Sequence, residues 1–322
     1  MEPDNYHQAK IGAAFFPIEQ AGYIQLIGPD RAAFLQRQTT NNISSLTPSS
    51  SLYTVLTSPT ARILDVFIVF NEPTGETLAL LPLPGRAARS VQHLRSRIFF
   101  MDKVSLVDAS DQYRQIAVLG PQSAQALAGM GLVNLPSAGE ISPVTLDGQP
   151  ARLLGLMEPI ASGFRLVFPS LAQAAVHNQL LRSGLVQLNV QEYEMLRVEA
   201  GRPGELLELT EEYTPLEAGL ETAISAEKGC YTGQEVIARQ ITYDKITRRL
   251  AGLRPETAVP PGSPVTVEDR PAGQVTSAVV SPRFGPIALA ILKRPFFEPG
   301  TAVLVQTGGA VIPAVVCKLP FQ

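Results

Sequence analysis

The octapeptide Lys228-Gly229-Cys230-Tyr231-Thr232-Gly233-Gln234-Glu235 holds the groups in this chain best suited to chemistry. Cys230 is one of only two cysteines. A thiol attacks and ligates metals as its thiolate, a form favoured by a nearby cation or a helix N-terminus. Lys228 supplies a cation two residues away. Thr232 and Glu235 have capping-box spacing, which would start a helix just beyond the cysteine and turn its unpaired N–H groups toward it. Gly229 and Gly233 let the backbone approach a ligand or take a positive φ. An at least partly exposed Cys230 is therefore expected to be an activated thiolate. The competing reading is a buried structural thiol in a tight turn.

A hydrolytic role would need a histidine base. The chain offers His7, His93 and His177, and the last two fall in segments read as amphipathic helices, where they are helix-surface residues. Cys317 sits in a terminal apolar strand and reads as a small core hydrophobe. The cysteines are too few for a disulfide framework, and neither belongs to a CxxC or Cys/His cluster, so no metal site made by this chain alone is expected. Net charge is -3 without a long basic run, which argues against direct nucleic-acid binding. No apolar run reaches the ~20 residues that cross a bilayer, and the first ten residues hold no apolar signal segment. The expectation is a cytoplasmic protein of a reducing compartment with no membrane contact.

The elements that must position the octapeptide are legible in outline. A chain of 322 residues, 45% apolar and 17% charged, calls for two or three packed units. Gly28, Pro29, Ala32 and Leu35 correspond to Gly120, Pro121, Ala124 and Leu127 at a constant offset of 92. Each set follows an apolar run, which predicts two strand–turn–helix units placed alike in one α+β layer. Between them, residues 52–84 read as antiparallel strands with turns at Ser58-Pro59 and Pro73-Thr74-Gly75. Ala87, Val91, Leu94 and Ile98 mark one amphipathic helix, and residues 170–184 another, from Ser170 to Gly184. Asn189/Glu192 and Thr214/Glu217 are further capping-box pairs. From about residue 246, short apolar strands alternate with Pro/Gly turns, which predicts a small β-barrel or sandwich.

The octapeptide resembles the signature of the YgfZ family, folate-binding proteins linked to iron–sulfur cluster assembly or repair and related to the glycine cleavage T-protein (GcvT, aminomethyltransferase). The likeness extends over most of the chain: "GPDRAAFLQRQTTNN", "LRVEAGRPGELLELTEEYTPLEAGL", "RRLAGL" and the terminal "LPF" also fit. The resemblance implies an α+β, GcvT/YgfZ-like ring of three domains around a central folate channel. Residues 1–245 would form the folate-binding region as two interleaved α+β subdomains, and 246–322 the C-terminal β-barrel. It implies that Glu199 recognises the pterin through its carboxylate. Lys228 would lie at the folate's acidic tail or a pterin oxygen, and Thr40, Asn41 and Tyr231 would line the site. T-proteins carry paired aspartates where this chain has Asp65-Val66. Val66 stands at the position of the folate-facing carboxylate, and Asp65 would point to the opposite face. The departure speaks against T-protein-type aminomethyl transfer and leaves open whether the chain is an enzyme.

The expected ligand is thus tetrahydrofolate or a one-carbon derivative. The expected partners are iron–sulfur assembly proteins or client enzymes, including tRNA-modifying ones. Cys230 would either ligate an iron–sulfur species transiently or react with a one-carbon unit. A cluster usually takes four protein ligands, so a second molecule would have to supply the rest. A folate-dependent one-carbon transferase is the rival reading.

Overall fold

The computed structural model describes residues 5–73, 75–156 and 163–322; Thr74 of the expected 73–75 turn lies outside them. The elements run α1 (Asn5–Ile11), β1 (Ala14–Pro17), β2 (Ile24–Ile27), α2 (Arg31–Gln38), β3 (Ser51–Thr57), β4 (Ile63–Asn71), β5 (Thr77–Leu81), α3 (Ala87–Arg95) and β6 (Ser105–Asp108). There follow β7 (Tyr113–Leu119), α4 (Ser123–Gly129), β8 (Ile141–Leu146), β9 (Gln149–Leu156), β10 (Gly163–Pro169), α5 (Gln173–Arg182), β11 (Val186–Gln187) and α6 (Val190–Glu199). The chain closes with α7 (Gln234–Thr242), β12 (Arg248–Pro255), β13 (Pro264–Val267), β14 (Arg270–Ser281), β15 (Gly285–Lys293), β16 (Ala302–Thr307) and β17 (Ala310–Cys317). It divides into two compact units. The first comprises 1–57, 64–189 and 222–232, the second 58–63, 190–221 and 233–322.

The first unit contains two sheets, ordered β3-β4-β5-β2-β6 and β11-β1-β7-β10-β9-β8. The repeat seen at an offset of 92 is a repeat of whole sheets. In chain order β2-α2-β3-β4-β5-α3-β6 matches β7-α4-β8-β9-β10-α5-β11. The correspondence β3/β8, β4/β9, β5/β10 and β2/β7 preserves strand order, with β1 inserted beside β7. The two units of the repeat lie in different sheets, which corrects the expectation of one layer. The signature glycines explain the shared turn. Gly28 and Gly120 take φ of 120° and 106°, and a Cβ there would lie 2.2 Å from the Lys103 carbonyl oxygen and 2.5 Å from that of Gly12. Only glycine fits either turn.

Period-two alternation distributes each strand over two cores. On β4, Phe67 and Val69 join a cluster with Phe34, Leu35, Val91 and Leu94 of the helices. Ile68 and Phe70 join a second cluster with Leu154, Leu156 and Val167 of the other sheet. On β9 and β10, Leu153, Leu166 and Phe168 pack with Val176 and Leu180 of α5. Each sheet is therefore covered by helices on one face and by the other sheet on the other. Burial on both faces explains why these strands read as unbroken apolar runs. The helix expected through Ile98 ends at Arg95, with Ser96 as its C-cap, and Ile98 still packs on the same core.

In the second unit, β12-β15-β14-β13-β16-β17 close into a barrel. Register shifts at Val265/Thr266 and Val275/Ser277 bend its strands, as closure requires. Val265, Ala290, Leu292, Val303 and Val305 help fill it. Thr214 and Glu217 form their capping box: the Thr214 N–H donates to Glu217 Oε2 at 2.9 Å, and the Glu217 N–H to Thr214 Oγ1 at 3.4 Å. No helix among the described residues is long and apolar enough to cross a membrane.

Candidate functional site

The octapeptide begins in a segment without regular structure that is stitched to the end of α2 and to β3, all within the first unit. Thr40 Oγ1 donates to the Ala223 carbonyl at 2.6 Å, and the Ser225 N–H to the Thr40 carbonyl at 3.1 Å. Further along, the Thr232 N–H donates to the Arg37 carbonyl at 3.1 Å, and Thr57 Oγ1 to the Thr232 carbonyl at 2.6 Å. Asn41 is fixed from β3: its N–H donates to Thr54 Oγ1 at 2.8 Å and its Nδ2 to the Tyr53 carbonyl at 2.7 Å. The polar run Thr39-Thr40-Asn41 and the Lys-Gly-Cys motif, almost 190 positions apart, thus share one site.

Lys228 is its centre. The side chain is 7% exposed. Its Nζ donates to the carbonyls of Thr39 and Asn41, both at 2.6 Å, and lies 5.0 Å from the centroid of the Tyr231 ring. Two carbonyl dipoles and an aromatic face all favour a cation. Among the described residues no carboxylate pairs with it. Burial pushes its ammonium down to about 7, and likewise pushes the Tyr231 hydroxyl up to about 12. Lys228, Thr40, Asn41 and Tyr231, all expected at the ligand, are therefore brought together. Thr40 Oγ1 and Asn41 Nδ2 are spent on backbone carbonyls, and Lys228 Nζ, with two of its three N–H donors used, retains donor capacity.

Cys230 lies next to this cluster in sequence and is exposed, which removes the buried-thiol reading. The two glycines have separate roles. Gly233 takes φ of 84° as the N-cap residue of α7. Gly229 has no positive φ, and a Cβ there would meet nothing within 4 Å among the described residues, so the fold itself does not call for glycine at that position. The capping box expected from Thr232 and Glu235 does not form. The left-handed Gly233 moves the cap one residue on, both backbone groups of Thr232 are used by Arg37 and Thr57, and Glu235 pairs in solvent with Arg239 at 2.6 Å. Gln234 opens α7 and is partly exposed.

Asp65, which the sequence placed opposite Val66, is wholly buried on the helix side of β4. It accepts from the N–H groups of Val66 and Leu83 at 2.8 and 3.0 Å, and from Ser90 Oγ of α3 at 2.5 Å. Burial outweighs these donors and the nearby Arg86, and raises the carboxyl to about 6. Val66 is buried as well. Neither residue offers a carboxylate to a ligand.

Glu199, the expected pterin acceptor, ends α6 in the second unit. It is buried, and its Oε1 accepts from Ser281 Oγ at 2.6 Å. Arg197 is buried within the second unit. It pairs with Glu194 at 2.6 Å and donates to Ser277 Oγ at 2.9 Å. His177 packs edge-on against Phe15, with ring centroids 5.4 Å apart. Among the described residues, no group of three or more His, Cys, Asp or Glu side chains could hold a metal ion.

Comparison with known proteins agrees with this architecture. The chain is 33% identical to a chloroplastic transferase-like protein of Arabidopsis thaliana over 96% of its own length and 71% of that protein's. It is 29% identical to the aminomethyltransferase of Moorella thermoacetica over 99% and 88% of the two chains. The crystal structure of the glycine cleavage system aminomethyltransferase T from Bartonella henselae superposes with a TM-score of 0.89 at 24% identity, over 99% of this chain and 88% of that one, which establishes the fold. The GCVT N-terminal domain family matches residues 3–228, and the glycine cleavage T-protein C-terminal barrel domain family matches 248–322. This chain therefore belongs to the folate-dependent, aminomethyltransferase-like glycine cleavage T-protein family.

Proposed function

We propose that this chain binds tetrahydrofolate or a one-carbon derivative and acts, in the manner of the YgfZ branch, in iron–sulfur cluster biogenesis or repair. Lys228 is the observation that carries the reading. A buried ammonium without a carboxylate is costly, and it is retained where an anionic ligand completes it. Lys228 would hold the folate, Thr40, Asn41 and Tyr231 would shape its seat, and Glu199 would recognise the pterin edge. The folate would supply its capacity to carry a one-carbon unit. Cys230, exposed beside the seat, would be the group presented to a second molecule, an iron–sulfur assembly protein or a client enzyme such as a tRNA-modifying one.

The similarity to named aminomethyltransferases favours a transferase as the second reading. Against it stand Val66 and the enclosure of Asp65, since a T-protein-type site needs a carboxylate that this strand does not present. Titration of tetrahydrofolate into the wild type and Lys228→Met tests the binding. Loss of affinity in the variant is expected, and equal tight binding would remove Lys228 from the site. Cys230→Ser in the native organism should lower the activity of several iron–sulfur enzymes. Sustained turnover with an aminomethyl-loaded carrier protein would instead establish the transferase.

A further inference from the structure

The turn between α3 and β6 exposes Phe99, Phe100 and Met101 by 68%, 98% and 72%. It is the only run of three consecutive exposed large hydrophobic residues among the described ones, and no function assigned above uses it. The turn is held in shape by Asp102. Its Oδ2 accepts from the Phe99 N–H at 3.0 Å, its own N–H donates to the Phe99 carbonyl at 2.9 Å, and its Oδ1 accepts from Arg37 at 2.7 Å. The next residue is tied too, its N–H donating to Asp30 Oδ2 at 2.9 Å. The apolar tip is thus preorganised, and ordering it on contact costs little. Arg95, Arg97 and Lys103 flank it with exposed side chains. Asp102 is paired with Arg37 and Asp30 stands beside Lys103, so the three flanking cations leave the surroundings net positive on a chain whose net charge is -3.

Arg37 links this turn to the thiol. Its guanidinium holds Asp102, and its carbonyl accepts the Thr232 N–H at 3.1 Å, two residues beyond Cys230. The tip and the Cys230 segment are mounted on the same arginine at the end of α2.

We propose that the Phe99–Met101 turn is the docking element for an acidic partner protein, which receives Phe100 in an apolar recess rimmed by carboxylates. The partner's identity as the molecule that meets Cys230 rests on the function proposed above. Aromatic side chains in central recesses carry most of the energy of protein interfaces, and charge complementarity around them sets orientation and on-rate. Three residues with three flanking cations are a weak membrane anchor, since stable anchoring takes two strong signals. The link to a thiol that needs further ligands from another chain favours a protein over a bilayer.

The test places the photocrosslinker p-benzoylphenylalanine at Phe100 of the full chain in its native organism, with Leu171, also exposed, as the control position. An acidic protein should be captured from position 100 and not from 171. Capture should fail when Arg97 and Lys103 are each changed to Glu, Arg95 being left in place because it donates to the Leu106 carbonyl at 2.8 Å. The captured protein, purified, should bind Phe100→Ser and the charge-reversed chain at least tenfold more weakly than wild type, with unchanged melting of both. Capture insensitive to charge reversal, no specific adduct, an adduct with a second copy, or Phe100-dependent sedimentation with phosphatidylglycerol vesicles would overturn the proposal. The same capture in Cys230→Ser separates the two readings. If docking persists while that variant leaves iron–sulfur enzymes unaffected, the functional reading fails and the docking surface stands. If that variant lowers those activities but position 100 captures nothing, the docking surface fails alone.

Discussion

Replacing Lys228 by methionine should change how stability depends on pH, and the sign follows from the structure. Burial lowers this ammonium from 10.5 to about 7. Below pH 7 the lysine is protonated in both folded and unfolded chains, and the folded protein bears the full cost of a desolvated charge. Between pH 7 and 10.5 the folded lysine is neutral while the unfolded one still holds its proton. The unfolded state then binds more protons, so stability rises with pH across this window. At about 1.4 kcal/mol per pH unit the full interval would give an upper bound of about 5 kcal/mol. Residual contact with water, the Thr39 and Asn41 carbonyls and the Tyr231 ring all support the cation, and they reduce the expected effect to about 2 kcal/mol.

Urea denaturation followed by far-UV circular dichroism at pH 6, 7, 8, 9.5 and 10.5 gives the measurement. The stability of wild type minus that of Lys228→Met should be constant at low pH and then rise, the total of about 2 kcal/mol being reached by pH 10.5, with the onset above pH 7 to the extent that the Thr39, Asn41 and Tyr231 contacts support the cation. A flat difference would mean that the ammonium is not desolvated, and the case for a charge awaiting an anion would go with it. Ligand binding gives the converse. A folate carboxylate stabilises the ammonium, so binding at pH 8 should take up a proton, and affinity should weaken as pH rises past 7.

Asp65→Asn should remove a slope of opposite sense. The wild-type carboxyl is raised from 3.8 to about 6, so the stability it contributes is present below about pH 4 and lost as pH rises through 6, by roughly 3 kcal/mol relative to the variant. Urea melts of the two proteins at pH 4 and 7 check this. Gly233→Ala should cost about 1–2 kcal/mol because φ is 84° there, whereas Gly229→Ala should stay within about 0.5 kcal/mol of wild type yet weaken tetrahydrofolate binding. Thermal melts and titrations of both variants separate the two glycines. Glu199→Gln keeps an acceptor for Ser281 and should change stability by no more than about 1 kcal/mol, while a pterin-binding role would lower affinity at least tenfold. Unchanged affinity would leave Glu199 a purely structural residue of the second unit.

Local rules carried the sequence reading wherever local rules decide the structure. The barrel was legible because Pro/Gly turns punctuate short apolar strands. The Gly28 and Gly120 turns were legible because a close backbone approach demands glycine. What an offset of 92 could not tell is that the two turns belong to different sheets, since strand pairing is a non-local choice. The Thr232 capping box failed because tertiary hydrogen bonds to Arg37 and Thr57 claimed the backbone that local spacing had assigned to a helix. The charge of Lys228 is legible but its burial is not, since nothing in the octapeptide shows that Thr39 and Asn41 supply two carbonyls. The polar run Thr39-Thr40-Asn41 at the end of an amphipathic helix was the one available signal. Periodicity predicts α3 through Ile98, whereas the helix stops at Arg95 and the apolar turn begins beyond it.

The structure sharpens what Cys230 can do alone. Its neighbours in the octapeptide are committed: Lys228 to two carbonyls, Tyr231 to the face beneath the ammonium, Thr232 to Arg37 and Thr57. The segment is therefore held in position while the thiol itself remains exposed. A cluster needs further ligands than one thiol, and the described residues supply no group of them. On β4, Val66 is buried, and Ser90, Leu83 and Val66 itself enclose Asp65. The first unit thus encloses Lys228 without a carboxylate partner among the described residues, and displays a thiol on a segment anchored through Arg37 to an apolar cationic turn. On the function proposed above, those features would direct the chemistry of Cys230 outward, to a reaction completed by a second protein.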